Sequence, residues 1–290
     1  NADPALLAAV DQQLVDGVLA HQRRSLAKTI TLIESTRSDH QARAQRVLAA
    51  LLPLSANAHK QWLQPSATVV AGNDPWISVD AAVSNNLFYF DHVAMRTDGI
   101  AVINPDGSKG EIKNPATGKY RSTFDVQLSQ PGTYKIVNTG EGASASYKLG
   151  GETKRWRGTA EQFATAIPKE ATDVRLTEND RRAEVFVTRG APTKDALKIT
   201  GKGLELEPVT HPNDLVASEP ATFKLMLDGK PAADVEVEGI LGDDRYRADK
   251  SEQKLKTDAT GAFTVKWPEA GMYWLEASAH GGAGSVPGSQ

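Results

Sequence analysis

The amino-acid sequence predicts a mainly β protein with an N-terminal α-helical segment, in which the β part forms two consecutive sandwiches. The first observation is a helical period of apolar residues through residues 5–53. The second is a change to alternating polar and apolar residues after Pro65. The third is a turn signal at intervals of about ten residues from there onward. The predicted domains are three helices over residues 1–53, a junction over 54–66, a first sandwich over 67–200 and a second sandwich over 201–290.

Three short helices are predicted in the N-terminal segment. Their apolar stripes are Leu7, Val10, Leu14 and Val18 in the first helix and Leu26, Ile30 and Ile33 in the second. The third helix begins at a capping box made by Ser38 and Gln41 and ends before Pro53. Short amphipathic helices expose more apolar surface than they can bury among themselves. We therefore expect the β region, a second copy or a partner protein to cover these stripes.

The β region is predicted from short alternating segments separated by turns. The shared faces are Phe223, Leu225 and Leu227 in TFKLML and Phe263, Val265 and Trp267 in FTVKW. Residues 152–182 are charged and weakly periodic, so we interpret them as an insertion in the first sandwich. The boundary between the two sandwiches is placed near residue 200.

Composition and motifs disfavour several classes of function. A net charge of −3 and an isoelectric point near 6.1 provide no basic excess for binding nucleic acid or an acidic membrane surface. The absence of cysteine removes disulfides, thiolate metal sites and cysteine nucleophiles. No apolar run reaches the length of about 18 residues that a membrane-spanning helix needs. No nucleophile elbow or H-E-x-x-H motif occurs, so we do not expect an enzyme.

Several phrases of the β region are specific when taken together. They are WISVDAAVSNNLFYFDH, ATGKYRSTFDVQLSQPGTYKI, KRWRGT and TGKGLELEPVTHPNDL, all within residues 59–287. These phrases resemble a secreted bacterial family of unknown function that is often described as a periplasmic nickel or cobalt uptake component. The resemblance implies an immunoglobulin-like sandwich followed by a transthyretin-like or carboxypeptidase-regulatory-like sandwich. It also implies a periplasmic location and a further strand after SVPGSQ, so the second sandwich is expected to lack its last strand.

Residues 6–53 carry a different resemblance. The stretch LVDGVLAHQRRSLAKTITLIESTRSDHQARAQRVLAALLP is similar to the N-terminal helical segment of the MeaB/ArgK family, GTPase chaperones of methylmalonyl-CoA mutase. No G-x-x-x-x-G-K-[ST] motif follows, so GTPase activity is not carried over. The resemblance implies a cytoplasmic origin for the helices and docking to methylmalonyl-CoA mutase, with self-association as the alternative. We interpret the chain as a fusion of two pieces; a natural protein with an N-terminal helical module is the alternative.

The junction contains Ala56-Asn57-Ala58, which has the small-x-small form of a signal-peptidase site. Cleavage after Ala58 would make His59 the first residue of the remaining chain. In this sequence a helical segment precedes the motif, whereas a signal peptide stands at the N-terminus. The sequence therefore leaves cleavage open.

His59, His92 and Asp91 are the candidate metal ligands. Imidazole and carboxylate groups suit nickel, cobalt or copper. After cleavage, the free amine and the imidazole of His59 would chelate one ion, and His92 or Asp91 would complete the site. While Ala58 is attached, the backbone nitrogen of His59 is an amide and this chelate cannot form. The alternative interpretation is that Asp91 and His92 close a strand after the aromatic run at residues 87–90.

Two further positions carry alternative interpretations. His211 lies in VTHPNDL, a turn sequence, and is interpreted as a structural histidine. Trp156 stands between Arg155 and Arg157 and is expected at the surface. There it either holds a partner by stacking and charge or belongs to a solvated loop.

The sequence thus predicts a non-enzymatic periplasmic binding protein, associated with transition-metal uptake through the resemblance of its β region. A metal ion or a transporter would be its partner. The alternative is a structural or adhesion-type interaction module in which the sandwiches only present loops.

Overall fold

The computed structural model of the chain describes residues 9–19, 22–35, 37, 40–41, 43–44, 47, 59–242 and 252–281. The predicted capping residue Ser38, the cleavage motif at residues 56–58 and the sequence SVPGSQ lie outside the described residues. The chain divides into two compact units, over Asn1–His59 and Lys60–Gln290.

The N-terminal unit is helical, as predicted. α1 spans Ala9–Leu19 and α2 spans Arg23–Glu34, and the described residues between 40 and 47 are helical too. Its apolar core is formed by Val15, Leu32, Ala44 and Val47. An ion pair ties α1 to the third helical stretch, because Arg43 donates from Nε and Nη2 to Oδ1 of the buried Asp11 over 2.9 and 2.7 Å.

The predicted apolar stripe of α2 does not face the core of the helical unit. Its members Leu26, Ile30 and Ile33 are 49%, 46% and 41% exposed. The close approach of α1 and α2 explains the difference, since a Cβ at Gly17 would lie 2.1 Å from Ser25 Oγ. The missing side chain at Gly17 lets the Ser25 side of α2 approach α1. Thr29 and Leu32 lie on the same side of α2 at helical spacing and are therefore the residues that become buried.

The first sandwich consists of two sheets. One sheet has the order β1 (Lys60–Pro65), β3 (Trp76–Ser84), β8 (Ser122–Gln127) and β7 (Lys113–Thr117), with β4 (Val93–Ala94) paired to β3. The other has the order β2 (Val69–Val70), β11 (Thr172–Arg189), β9 (Gly132–Leu149), β5 (Ile100–Ile103) and β6 (Lys109–Gly110), with β10 (Glu152–Gly158) paired to β9. Alternating side chains from both sheets meet in one core, which includes Ile77, Val79, Phe124, Tyr134, Ile136 and Val187.

The second sandwich also has two sheets. One consists of β12 (Leu204–Pro208), β13 (Pro220–Leu227), β14 (Lys230–Pro231) and β17 (Ala262–Lys266), which pairs with β13. The other consists of β16 (Gln253–Lys256), β15 (Glu236–Leu241) and β18 (Tyr273–Ala277). The core contains the predicted residues Phe223, Leu225, Phe263, Val265 and Trp267. The predicted fold class, mainly β with an N-terminal helical segment, is confirmed.

The two sandwiches pack against each other within one unit. A small apolar cluster joins Trp62, Ala82 and Leu87 of the first sandwich to Ile240 and Trp274 of the second. The indole Nε1 of Trp274 also donates a hydrogen bond to the backbone oxygen of Gln61 over 3.0 Å. The two sandwiches therefore bury part of their surfaces against each other and do not behave as separate domains joined only by a linker.

Residues 152–182, interpreted above as a charged insertion in the first sandwich, form regular secondary structure. They build β10, a helix α3 (Ala160–Ala166) and the first half of β11. β9 and β11 are 18 residues long each and stay paired from Gly132 with Arg189 to Lys148 with Thr172. The sheet therefore continues past the sandwich core. We call this continuation the extension; it comprises residues 142–149, 152–167 and 172–179.

Candidate functional site

The candidate ligand Asp91 closes the loop at residues 85–91. Its Oδ1 accepts from the backbone N–H of Asn85 over 2.8 Å. Its Oδ2 accepts from the backbone N–H and the side-chain Nδ2 of Asn86 over 3.1 and 2.7 Å. Burial alone would raise the pKa of Asp91, but these hydrogen bonds outweigh burial and hold the pKa below its usual value. Asp91 is thus an ionised group with loop N–H donors on both of its oxygens.

The candidate ligands His92 and His59 are both exposed. His92 follows Asp91 in the second unit, and His59 is the last residue of the first unit. Within the described ranges, no group of three or more histidine, aspartate or glutamate side chains is placed to hold a metal ion. Nickel, cobalt or copper binding at His59, His92 and Asp91 therefore remains a prediction.

His211 is a structural histidine, as the sequence indicates. It is 9% exposed, and its Nδ1 accepts from the backbone N–H of Asn213 over 3.1 Å. Nε2 therefore carries the proton and donates to the backbone oxygen of Thr193 at 3.0 Å. The side chains of Thr133 and Thr188 continue this network beneath the second sandwich, with 3.0 Å between His211 Nε2 and Thr133 Oγ1. His211 therefore holds the start of the second sandwich against the first; we call this contact region, around Thr133, Thr188 and Glu205, the joint.

A charged cluster lies at the same joint. Arg182 of β11 contacts Glu205 of β12 over 3.2 Å and Glu184 over 3.6 Å. Glu205 also accepts from the backbone N–H groups of Thr200 and Gly201 over 2.9 and 2.7 Å. Burial would raise the pKa of Glu205, but these N–H donors outweigh it and the pKa is lowered. The cluster stabilises the joint and has its acceptors engaged.

The extension has two different faces, because side chains alternate along its strands. One face is apolar: Ala143, Ala145 and Leu176 are buried, and Trp156, Phe163 and Ile167 pack against them. The rings of Trp156 and Phe163 lie 5.8 Å apart in an edge-to-face arrangement. α3 brings Phe163 onto this face and starts at a capping box between Thr159 and Gln162. Helix α3 therefore covers one face of the extension.

The opposite face carries arginine and hydroxyl side chains, and we call it the arginine face. Its first row across the sheet is Arg155, Ser146 and Arg175, and its second row is Arg157, Ser144 and Thr177. All three arginines are exposed. In the part of the chain that the structure describes, neither Arg155 nor Arg157 forms an ion pair with a carboxylate. These guanidinium groups are therefore available to a ligand.

Two cavities lie along the extension. The larger has a volume of about 630 Å³ and is lined by both rows of the arginine face, together with Ala145, Trp156, Val174 and Leu176. The smaller, of about 390 Å³, shares Ser146, Val174 and Arg175 with it and adds Lys148 and Asp173. Lys148 and Asp173 form an exposed ion pair over 2.7 Å, and Lys148, with a smaller contribution from Arg175, lowers the pKa of Asp173. Both cavities are open to solvent along one side, so they are depressions on the surface of the extension.

The sequence interpretation placed Trp156 at the surface between two arginines but missed the rest of this face. Trp156 is half-buried against Phe163, so the arginines and not the indole are the exposed groups. A signal for the missing residues is present in the alternation Ala-Ser-Ala-Ser at 143–146 and Val-Arg-Leu-Thr at 174–177. The partner of each strand is not encoded locally, so the sequence alone did not bring Arg175 beside Arg155.

Comparison with known proteins shows two relationships. The profile of a family described as "Domain of unknown function (DUF4198)" matches residues 56–281. Proteins named as probable GTPases from Mycobacterium bovis and Mycobacterium tuberculosis are 46% identical over 59 residues, which cover 19% of this chain and 18% of theirs. The chain thus spans less than a fifth of the length of these GTPases. The two resemblances inferred from the sequence are thus confirmed, one to a family of unknown function and one to part of a GTPase family. Neither description mentions nickel or cobalt.

Among solved structures, the D0-D1 domain of intimin aligns with 74% of this chain and 88% of its own, at 15% identity and a TM-score of 0.19. A similarity of this size supports no structural argument. Separately, none of the helices in the described residues has both the length and the apolar character needed to cross a membrane.

Proposed function

Because the chain belongs to the DUF4198 family, a domain family of unknown function, we propose from its structure that it is a non-enzymatic binding protein with its ligand site on the extension. The observation that carries the proposal is the position of the two cavities, which adjoin each other on the extension. One face of the extension is covered by α3, and the arginine face is open. Ligand sites are concave and carry a few convergent polar groups that orient the ligand, and the arginine face supplies such groups beside a depression.

The chemistry of the larger cavity favours binding over catalysis. Its lining contains hydroxyl groups from Ser144, Ser146 and Thr177 but neither a histidine nor a carboxylate. A hydroxyl nucleophile needs an adjacent base to become reactive. Arginine stays protonated near neutral pH and does not serve as that base. The lining is therefore equipped to hold a ligand by hydrogen bonds and charge.

Hydrogen exchange on the full chain tests the proposal. The probes are citrate, pyrophosphate, nickel chloride, cobalt chloride and glucose, which represent anionic, cationic and neutral ligands. We expect at least one probe to protect backbone amides at residues 144–146, 155–157 or 175–177. Protection confined to residues outside the extension would contradict the proposal.

Transition-metal binding is the second candidate function, favoured by the exposure of His92 beside the ionised Asp91. In this form the protein is a periplasmic accessory of nickel or cobalt uptake. Calorimetric titration of nickel, cobalt and copper into the full chain and into a His92→Ala variant separates this function from the first. Equal heats for the two proteins would remove His92 from the site. Intact mass after secretion would show whether the bond between Ala58 and His59 is cut.

The exposed stripe of α2 supports a role for the helical unit in association. Leu26, Ile30 and Ile33 form an apolar stripe that the described residues leave uncovered. Self-association or docking to methylmalonyl-CoA mutase would bury it. Light scattering on the full chain and on a Leu26→Gln, Ile30→Gln variant tests the first possibility, and a monomer in both samples would exclude self-association through this stripe.

A further inference from the structure

We infer that the larger cavity of the extension binds an organic anion that carries at least two carboxylate or phosphate groups. The inference rests on the proposed function, because it assigns a ligand class to the same site. The ligand would lie on the arginine face, with its oxyanion groups on Arg155, Arg157 and Arg175 and its remaining oxygens on the hydroxyls of Ser144 and Ser146.

The register of the strands places the three arginines around a common centre. Arg155 and Arg175 pair with the same residue, Ser146, from opposite sides of β9. Neighbouring strands are about 4.8 Å apart, so the two arginine backbones are about 10 Å apart with the serine between them. Arg157 lies two residues along β10, which is about 7 Å from Arg155 on the same face. One ligand with two charged ends spans these distances.

The type of cation indicates the type of ligand. A guanidinium group presents paired N–H donors in a plane, which match the two oxygens of a carboxylate or phosphate. The hydroxyls of Ser144 and Ser146 lie on the middle strand, between the arginines of the outer strands. They can donate to ligand oxygens that the arginines leave open. The site is therefore complementary to several oxyanions held at fixed separation.

The clustering of like charge also favours an anion. Arg155 and Arg157 lie two residues apart on one face of β10, and like charges at this distance repel each other. Glu152 pairs with Lys154, and Asp173 pairs with Lys148 and also attracts Arg175. Among the described residues, Arg155 and Arg157 therefore have no carboxylate partner. The chain as a whole has a net charge of −3, so the three arginines form a local excess of positive charge in an acidic protein. A bound polyanion would neutralise that excess.

Calorimetric titration of the full chain at low salt tests the inference. The probes are citrate for carboxylates and pyrophosphate for phosphates, with acetate and glucose as singly charged and neutral comparisons. We expect saturable binding of citrate or pyrophosphate with one site per chain, and much weaker binding of acetate. Which of the two probes binds more tightly identifies the source of the oxyanion groups.

Arg155→Gln and Arg175→Gln are the site variants. Each removes a charged donor from the cavity, and we expect about a tenfold loss of affinity. The matched control is Arg181→Gln, because Arg181 is exposed on the same face of β11 but does not line the cavity. We expect less than about a twofold change for the control, since it lies about 20 Å from Arg175 along the strand. Circular dichroism and thermal unfolding establish that the variants are folded.

Two results would overturn the inference. The first is the absence of saturable heat from citrate and pyrophosphate at millimolar concentration. The second is an equal loss of affinity in Arg181→Gln and Arg155→Gln, which would indicate diffuse attraction to positive charge. If a neutral or cationic probe protects the extension from hydrogen exchange while both anions fail, this inference is wrong and the proposed binding function stands. If every probe protects residues elsewhere, both are wrong.

Discussion

The two halves of the strands β9 and β11 differ in how their faces are covered. In the sandwich half, Ile136 and Val187 lie in the core of the first sandwich, and Lys135 and Thr188 are buried at the joint with the second. In the extension half, α3 covers one face and the other face is open. The strands and their register are continuous between the halves. The difference teaches that one pair of strands is a covered scaffold at one end and presents an open polar face, the proposed binding surface, at the other.

The largest expected effect is a difference in how much a core truncation destabilises each half of the strands. Ile136 is 0% exposed and Leu176 is 7% exposed. Ile136→Ala leaves a cavity in the closely packed sandwich core and should lower the free energy of unfolding by about 3–4 kcal/mol. Leu176→Ala should lower it by about 2 kcal/mol, because the short helix α3 covers Leu176 and the helix can move to fill part of the cavity. Urea unfolding of the full chain measures both values.

Hydrogen exchange extends this comparison. Leu176→Ala should release the amides of residues 143–158 and 172–178 and leave those of the sandwich core unchanged, because regions with few buried contacts open locally. Ile136→Ala should instead accelerate exchange throughout the β unit. Equal release in both variants would show that the extension does not open on its own.

A smaller effect concerns the charged cluster at the joint. The pKa of Glu205 is lowered in the fold, so its contribution to stability is complete above the unfolded pKa of about 4.3 and is lost as the pH falls through the lowered folded value. Glu205→Gln should reduce stability at neutral pH by about 1–2 kcal/mol, because the charged acceptor of the Thr200 and Gly201 N–H groups is lost. Its stability should also depend less on pH below about 5.

Unfolding free energies at a series of pH values measure this effect. Glu207→Gln on the same strand is the matched control, and its pH dependence should follow that of the unaltered chain. An unchanged acid dependence in Glu205→Gln would contradict the role assigned to Glu205. Exchange rates at residues 144–146, 155–157 and 175–177 should not respond to either variant, since Arg182, the partner of Glu205, lies outside the extension.

The sandwich half could be predicted from sequence, and the extension could not. Alternation around Phe223 and Phe263 identified buried faces correctly because one face of each strand is covered by its own sandwich. In the extension, Arg155, Arg157 and Arg175 alternate with apolar residues. The many charged residues nearby make this alternation weak, so the strands were not predicted from it. The capping box at Thr159 and Gln162 was a local signal for α3 that the interpretation did not use.

The candidate site was predicted even less completely, for a physical reason. Asp91 and the two histidines were chosen for the metal affinity of their side chains, which sequence shows directly. Whether a carboxylate is available depends on its hydrogen bonds, and those of Asp91 come from its own loop. Likewise, the arginine face exists only because β10 and β11 flank β9 in one register. Such long-range pairing is set by the whole fold and not by the residues of one strand.

The smallest expected effect is on the stability of the arginine face. Arg155 is exposed and has no ion pair with any described carboxylate. Arg155→Gln should therefore change the free energy of unfolding by less than about 0.5 kcal/mol, and relief of repulsion with Arg157 would make the change stabilising. In contrast, citrate or pyrophosphate should raise the thermal midpoint of the unaltered chain more than that of the variant, because a ligand stabilises the state that binds it. Thermal unfolding with and without each anion measures the difference. A large loss of stability without ligand would mean that Arg155 supports the fold, and that the open half of the strands is part of the scaffold after all.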